Sequence, residues 1–451
     1  MDRNETKKKK QIERNIPPVQ IALDLLDLPR ALQIAEEAVN GGVTWVEAGT
    51  PLIKAEGMDA VRELKRKFPS LTIVADMKTM DAGATEVEMA AKAGADIVLI
   101  LGVSPDSMIS EAVLAGKKYG AKIGTDLIAI HEPVKRAADL EQLGVDIINI
   151  HVGLDQQVLG MDPIELVRNV SEACSANVRI AAAGGLNSET AVKAYEAGAD
   201  IIIVGGALYK ARHPEKSAKK IIQSLKTGKP VVTREFHKYD ADHLLDAFSV
   251  VSTANISDAM HRTGEIRGLK PVWEGSPDKP LKFAGPATTV RTYSGDWSKP
   301  VTAIDHCNPG DVLVIDSCES EIACWGELAT HSCLSRGVAA VIIDGAARDI
   351  DDIRRIGFPV FARHFTPTAG EPKGFGEINA AIECGGRKVE PGDWIVGDES
   401  GIVVVPQKIA MEMANRAIDV KEREDRIREE IRRGSTLGQT AYLNKWDVQK
   451  H

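Results

Sequence analysis

Gly94-Ala95-Asp96-Ile97-Val98-Leu99-Ile100-Leu101 decides the fold of the first half of the chain, because its opening phrase recurs. Gly42-Val43-Thr44, Gly120-Ala121-Lys122-Ile123, Gly144-Val145-Asp146-Ile147 and Gly198-Ala199-Asp200-Ile201 also lead into apolar runs. The intervals are close to one or two units of about 26 residues, the length of a strand plus its crossover helix. Reading each apolar run as a strand gives Val19–Asp24, Val43–Glu47, Leu71–Lys78, Asp96–Gly102, Lys122–Ala129, Asp146–Val152, Val178–Gly184 and Asp200–Gly205. Between them Ala31–Val39, Gly57–Phe68, Thr85–Ala93 and Pro133–Leu143 carry apolar residues three and four apart, as an amphipathic helix does. Eight alternating βα units predict a closed (β/α)8 barrel of the TIM type. An open doubly wound sheet is the alternative. The first strand-to-helix turn, Asp24-Leu25-Leu26-Asp27-Leu28-Pro29, lacks G-x-G-x-x-G, and there is no P-loop.

At 451 residues the chain exceeds one ordinary domain. Aromatic residues make up only 4% of it, while small and aliphatic residues abound, which suits parallel strands buried on both faces. A net charge of -9 gives no reason to expect nucleic-acid binding. The Lys7–Lys10 run is read as a solvated tail within residues 1–16, since no apolar segment follows it as in a signal peptide. No uninterrupted apolar stretch approaches the roughly 20 residues of a membrane span. The six cysteines form no C-x-x-C pair and no dense framework, so a reduced, cytoplasmic protein is expected. His306, Cys307, Cys318, Cys324, His331 and Cys333 cluster in sequence at spacings that match no zinc finger, with Cys324 and Cys333 in a helix-like stretch.

Ala75-Asp76-Met77-Lys78-Thr79-Met80-Asp81-Ala82-Gly83 closes the third strand. Asp76 and Lys78, two apart, would project from one strand face. Asp81 falls where a helix begins and would cap it. Barrel active sites lie at the C-terminal strand ends. There stand Asp24, Glu47, Asp76 with Lys78, Asp126 within the fifth strand, and His151 at the end of the sixth. Gly184-Gly185 and Gly205-Gly206 follow strands seven and eight, where barrels bind phosphate through backbone N–H groups. Each of these alone fits a cap, a surface ion pair or a tight turn. As a set on one rim they point to a sugar-phosphate enzyme with a carboxylate-bound divalent cation. Glu47 and Asp76 suit Mg²⁺, with Mn²⁺ as the alternative; Lys78 would add charge stabilisation and His151 would move a proton.

Ile21-Ala22-Leu23-Asp24, Trp45-Val46-Glu47-Ala48-Gly49-Thr50-Pro51-Leu52-Ile53, Ala75–Asp81 and Ala183-Gly184-Gly185 resemble 3-hexulose-6-phosphate synthases, of the orotidine-5'-phosphate decarboxylase suprafamily, over about residues 18–225. The resemblance implies a reversible Mg²⁺-dependent aldol reaction of formaldehyde with D-ribulose 5-phosphate, giving D-arabino-hex-3-ulose 6-phosphate. It implies Glu47 and Asp76 as metal ligands, Asp24 and Lys78 as substrate-binding and polarising groups, and His151 as the acid/base. Asp81 would reach the partner's site in a barrel dimer. The related 3-keto-L-gulonate-6-phosphate decarboxylases are the alternative. They carry an arginine three residues after the histidine, where this chain has Leu154, and the synthase reading is favoured.

After the helix Pro214–Leu225 and a turn cluster at Lys226-Thr227-Gly228-Lys229-Pro230, the rhythm stops. Residues 226–240 read as a linker, 241–410 as a second α/β domain with a mixed sheet, and 411–451 as a charged tail with a surface or partner-packing helix over Met411–Arg433. Strands are expected at Phe283–Thr292, Asp311–Asp316, Val338–Asp344, Pro359–Arg363 and Trp394–Val405, and helices at Ala254–His261 and Ile322–Ser335. Gly326-Glu327-Leu328-Ala329, Asp344-Gly345-Ala346-Ala347-Arg348-Asp349, Pro309–Val314 and Asp398–Pro406 resemble the family of regulator of ribonuclease activity A and 4-hydroxy-4-methyl-2-oxoglutarate aldolase. That resemblance implies a swivelling β/β/α fold, with Asp349 as metal ligand, Arg348 as partner of a pyruvate enolate, and Glu327, beside Leu328, holding a metal-bound water. Ser317-Cys318-Glu319-Ser320 stands where the family has glycines. A 2-oxo-acid lyase and a non-catalytic partner-binding module are the two readings. Homo-oligomers through barrel dimers, with second-domain trimers as a further option, are expected.

Overall fold

The computed structural model of the protein describes residues 16–151, 163–233, 239–441 and 443. Lys7–Lys10 and Leu154 lie outside the described residues. The chain forms two compact units, Met1–His237 with Glu422–His451, and Lys238–Lys421.

Eight parallel strands close the first unit into a barrel in sequence order. They are β1 (Val19–Leu23), β2 (Trp45–Ala48), β3 (Thr72–Thr79), β4 (Ile97–Leu101), β5 (Lys122–Asp126), β6 (Ile147–His151), β7 (Arg179–Ala183) and β8 (Ile201–Val204). Hydrogen bonding between β1 and β8 closes the ring, with Ile21 opposite Val204. Side chains alternate as the pleat requires. Ala22, Ile97, Leu99, Ile147, Ala181, Ile201 and Ile203 fill the barrel, while Ile21, Leu23, Val98, Ile100, Ile148 and Ile202 pack outward against the helices. Burial on both faces is why these strands read as continuous apolar runs.

The recurring phrase has a physical meaning at each position. Gly94, Gly144 and Gly198 take positive φ (105°, 86° and 113°), the conformation that ends the preceding helix. Ala95, Val145 and Ala199 are buried plugs. The aspartate then ties the new strand to the one before it. Asp96 N donates to Ile73 O (2.8 Å) while Asp96 Oδ2 accepts from Ile73 N (2.8 Å). Asp146 does the same with Ile123 (2.8 and 2.9 Å), and Asp200 with Ile180 (2.7 and 3.1 Å). Three strand pairs, β3–β4, β5–β6 and β7–β8, are thus tied at the same end.

Several elements differ from expectation. The helix expected over Gly57–Phe68 is present as Asp59–Lys67, but a further short helix, Thr50–Glu56, precedes it and ends where Gly57 takes φ 65°. The fifth strand stops at Asp126, not Ala129, because Asp126 Oδ1 accepts from Ile128 N (2.9 Å) and turns the chain. Asp81 is not the cap of its helix. Helix α2 (Gly83–Ala93; α1 is Leu28–Asn40) starts from Ala82 in a left-handed conformation, and Asp81 Oδ1 accepts from Ala82 N (2.7 Å). The barrel closes with α3 (Gly206–Tyr209) and α4 (Pro214–Thr227).

The second unit is built on a mixed sheet. Its central strands are β9 (Lys282–Arg291), β10 (Val312–Asp316), β12 (Ala340–Ala347) and β13 (Val360–Phe365), each parallel to the next. β14 (Trp394–Asp398) and β15 (Gly401–Val405) extend it antiparallel from β9. The single strand expected over Trp394–Val405 is therefore a hairpin. Asp398 Oδ1 accepts from Ser400 N (2.9 Å), and Gly401 has φ 141°. The helix expected over Ile322–Ser335 is a short strand, β11 (Ala323–Trp325), which holds Cys324, followed by α5 (Glu327–Arg336). Pairing of β11 with β12 draws those residues out of helix, an outcome local periodicity does not encode. Helix α6 is Ile350–Ile356. Helix α7 (Ala410–Arg432) begins in the second unit, where Ala410, Ala414 and Ala417 are core, and its residues from Glu422 onward belong to the first.

Removing one strand tie tests its weight. Asp146→Ala leaves the Ile123 amide without its carboxylate and should cost about 1–3 kcal/mol of barrel stability, read by urea denaturation. A change within about 0.3 kcal/mol would show that the tie carries no stability.

Candidate active site

The C-terminal rim of the barrel collects the charged residues. β3 pairs with β4 in register through Asp76 opposite Leu99, but the next pair is Thr79 with Ile100. Met77 and Lys78 are therefore extra, and Lys78 takes φ 48°. Left-handed backbone at a lysine costs about 1–3 kcal/mol and persists where the surroundings impose it. Asp76 and Lys78 do meet, but not by simple strand alternation as expected. The bulge re-aims Lys78 so that its Nζ lies 2.6 Å from Asp76 Oδ2 and 3.4 Å from Asp126 Oδ2.

Asp126, fully buried, is the hub of this group. Besides Lys78 it faces His151 Nδ1 (3.3 Å) and Asn149 Nδ2 (3.5 Å). Burial opposes its charge, but the hydrogen bond and charge of His151, with Lys78, hold its pKa below the usual carboxylate range. In return the Asp126 hydrogen bond raises the His151 pKa. Burial would lower the Lys78 pKa, but the charges of Asp76 and Asp126 outweigh it and raise it. Lys78 is a permanent cation here and not a base.

Glu47 is buried on β2, and its carboxylate accepts from the Gln20 amide. Burial, then the charges of Asp76 and Asp24, push its pKa well up. Asp24 stands at the end of β1 with part of its surface open. Burial of the rest and the Asp76 charge raise its pKa, against Lys78, His151 and Lys210. Gly49 makes room for it, since a Cβ there would lie 2.4 Å from Asp24 Oδ1. Asp76 Oδ2 also accepts from Thr50 Oγ1 (2.9 Å), whereas buried Asp76 Oδ1 has no hydrogen-bond partner.

No group of three or more His, Cys, Asp or Glu among the described residues could hold a metal by itself. The site still fits a hydrated hard cation. Three mutually repelling carboxylates surround one lysine, and an acceptor oxygen is buried without a donor. A Mg²⁺-type ion needs only one or two carboxylates, its other positions going to water and substrate oxygens.

Residues 17–221 match the Orotidine 5'-phosphate decarboxylase / HUMPS family model. The 3-hexulose-6-phosphate synthase of Bacillus subtilis (strain 168) is 37% identical over 210 residues, covering 47% of this chain and 99% of that protein. The chain belongs to the orotidine 5'-phosphate decarboxylase / HUMPS family. 3-Hexulose-6-phosphate synthase 2 of Staphylococcus saprophyticus is 41% identical over 201 residues, 45% of this chain and 93% of its own. The crystal structure of 3-hexulose-6-phosphate synthase from Salmonella typhimurium matches 47% of this chain and 99% of its own, at 36% identity and a TM-score of 0.45. Residues 253–404 match the RraA-like (Aldolase/RraA) family model.

Within this HUMPS-family barrel, Asp24, Glu47, Asp76, Lys78 and His151 share one rim, as their strand-end positions require. Gly184 and Gly185 follow β7 with φ 98° and 68°, and Gly205 and Gly206 start α3 after β8, so both pairs stand at the same end of adjacent strands. Asp81 is exposed and is not hydrogen-bonded into the cluster. From the sequence, Asp126 was placed on the rim without a chemical task, and none was assigned to Gln20, Thr50 or Asn149. The available signal was alternation, since Gln20 and Asn149 lie two residues from the inward-facing Ala22 and Ile147 or rim His151.

In the second unit, Arg348 and Asp349 follow β12, and Glu327 starts α5. Asp349 Oδ2 accepts from Glu327 N (3.2 Å) and lies 3.4 Å from Arg348 Nε. Glu327 Oε1 is 3.0 Å from His331 Nε2. Gly326 leaves room for this carboxylate, as a Cβ there would come 2.5 Å from Asp349 Oδ2 and push that side chain aside. Arg348, Asp349, exposed Leu328, Trp297 and Trp325 line a cavity of about 280 Å³. All four residues expected at this site are thus neighbours.

The Asp126–His151 pair has a pH signature. The raised His151 pKa means that its stabilisation is complete below about pH 6.5, the unfolded histidine value, and is lost as pH rises through the folded value. Asp126→Asn should lower the His151 pKa in an NMR titration. An unchanged value would remove the coupling.

Proposed function

We propose that the barrel catalyses the reversible aldol addition of formaldehyde to D-ribulose 5-phosphate, giving D-arabino-hex-3-ulose 6-phosphate. The convergence of Asp76, Lys78, Asp126 and His151 on one rim carries this reading, and 37–41% identity to synthases of that name supports it. Glu47 and Asp76 would hold Mg²⁺ or Mn²⁺, which supplies positive charge beside the reacting oxygens.

The chain's own residues account for the remaining steps. Lys78, always charged, stabilises the negative charge that develops when C1 of the pentulose loses a proton. Asp126 occupies His151 Nδ1, which leaves Nε2 to exchange protons with the substrate. C1 then bonds to the formaldehyde carbon, and one proton is returned to the formaldehyde oxygen. Asp24 holds a substrate hydroxyl. The N–H groups around Gly184, Gly185, Gly205 and Gly206 take the phosphate, a role that positive-φ glycines and the start of a helix suit. Asp81, exposed on the same rim, reaches the neighbouring site in a barrel dimer.

For the second unit, Arg348 suits a bidentate hold on a 2-oxo-acid carboxylate and Asp349 a divalent cation, as in a lyase. The ~280 Å³ cavity favours this over a pure binding module.

Lys78→Ala should lower kcat for formaldehyde-dependent ribulose 5-phosphate consumption by about 10²-fold or more with the fold intact by circular dichroism, and EDTA should abolish wild-type turnover. Retained turnover in Lys78→Ala would refute the barrel mechanism. Full-length protein should release pyruvate from oxaloacetate in Mg²⁺, and Arg348→Ala should not. Equal rates in both would leave the second unit as a binding module.

A further inference from the structure

Helix α7 brings a fully buried arginine to the outside of the barrel. Arg426 holds Glu37 of α1 with both terminal nitrogens (Nη1–Oε2 and Nη2–Oε1, each 3.2 Å). Its Nε donates to Glu430 Oε1 (2.7 Å), and its Nη1 donates to the Arg212 carbonyl oxygen (3.4 Å). Around this centre, Arg30 Nε donates to Glu430 (3.0 Å), Arg433 Nη1 to Glu37 (2.8 Å) and Arg212 Nε to Glu429 (3.2 Å). Burial works against the Glu37 charge, but Arg426 and Arg433 outweigh it and lower the Glu37 pKa.

The anchors are not scattered. Arg30 sits in the first turn of α1, directly after the β1 connection that carries Asp24. Arg212 lies between α3 and α4, on the connection that leaves β8 with Gly205 and Gly206. β1 and β8 are the strands whose pairing closes the barrel. One stretch of α7 therefore grips both rim connections at the closing seam. The family match covers residues 17–221, so Arg30, Glu37 and Arg212 lie within it and the residues that grip them, Arg426, Glu429, Glu430 and Arg433, lie outside it. A buried charged cluster is a poor source of net stability compared with apolar packing, but its planar, multidentate geometry specifies one arrangement.

We propose that Arg426, with Glu429, is a positioning residue for the phosphate end of the barrel site. It fixes the β8-to-α4 connection against α1 through Arg212. The proposal rests on the reading that Gly205 and Gly206 bind the sugar phosphate.

The test uses full-length protein. In Arg426→Met, KM for ribulose 5-phosphate and the inhibition constant of inorganic phosphate should both rise about tenfold, while kcat at saturation stays within about twofold. Glu429→Gln, which leaves Arg426 in place but weakens the Arg212 arm (3.2 Å) together with the Glu429–Arg433 Nε contact (3.3 Å), should move both constants in the same direction by about two- to threefold. A merely structural cluster would lower Tm and leave both constants unchanged, and that result in folded variants overturns the proposal. If Arg426→Met does not fold, Glu429→Gln decides alone. If the wild type shows no formaldehyde-dependent turnover, the functional reading fails. Direct titration with inorganic phosphate then decides the clamp by the ratio of variant to wild-type Kd, with no binding by either counting against it.

Discussion

The aspartate ties at the feet of β4, β6 and β8 set the condition on which the rest of the barrel depends. Each pairs twice with one residue of the preceding strand, so a slip of one position would break two hydrogen bonds and leave a carboxylate without its donor. Strand side chains alternate with period two. A slip would therefore also turn the barrel-filling Ile97, Leu99, Ile201 and Ile203 toward the helices. The rim inherits this register. Glu47 faces inward because Ala22 and Val74, its partners on either side, do.

Against that regular frame the site departs from ideal geometry at one place, the two-residue bulge of β3. It brings Lys78 between Asp76 and Asp126, with His151 on the far side of Asp126. The result is an alternation of anion, cation, anion and titratable imidazole in a mostly buried setting, where such contacts are felt more strongly than in water. Glu47 and Asp24 are left in net repulsion with Asp76, and Asp76 Oδ1 is left without a donor. An arrangement that is unfavourable on its own and would be relieved by a cation is a mark of function.

The second unit follows the same physics on an open sheet. Val312, Val314 and Ile342 face one core, and Leu313, Ile315, Val341 and Ile343 the other, so its central strands too are buried on both sides. Its charged residues gather where β12 ends and α5 begins, again at strand termini. The long C-terminal helix differs from both. Its apolar residues serve one unit, and its buried arginine serves the other.

The glycine-led phrase, the alternation of strand and helix periodicity and the polar residues at strand ends were enough to establish eight βα units and the positions of Asp24, Glu47, Asp76, Lys78 and His151. These are local signals, since a strand's own pattern says which face is apolar and where it stops. Other features depend on partners distant in sequence. Lys78 meets Asp126 across 48 positions, β11 is a strand only because β12 is beside it, and Arg426 is buried against a helix 389 positions earlier. No local periodicity records such pairings. The sequence by itself therefore determined the barrel and the list of charged residues on its rim. Only the tertiary structure decided that Asp126 is their hub, that a bulge aims Lys78, and that the C-terminal helix grips the seam, because each follows from distances between segments that folding alone brings together.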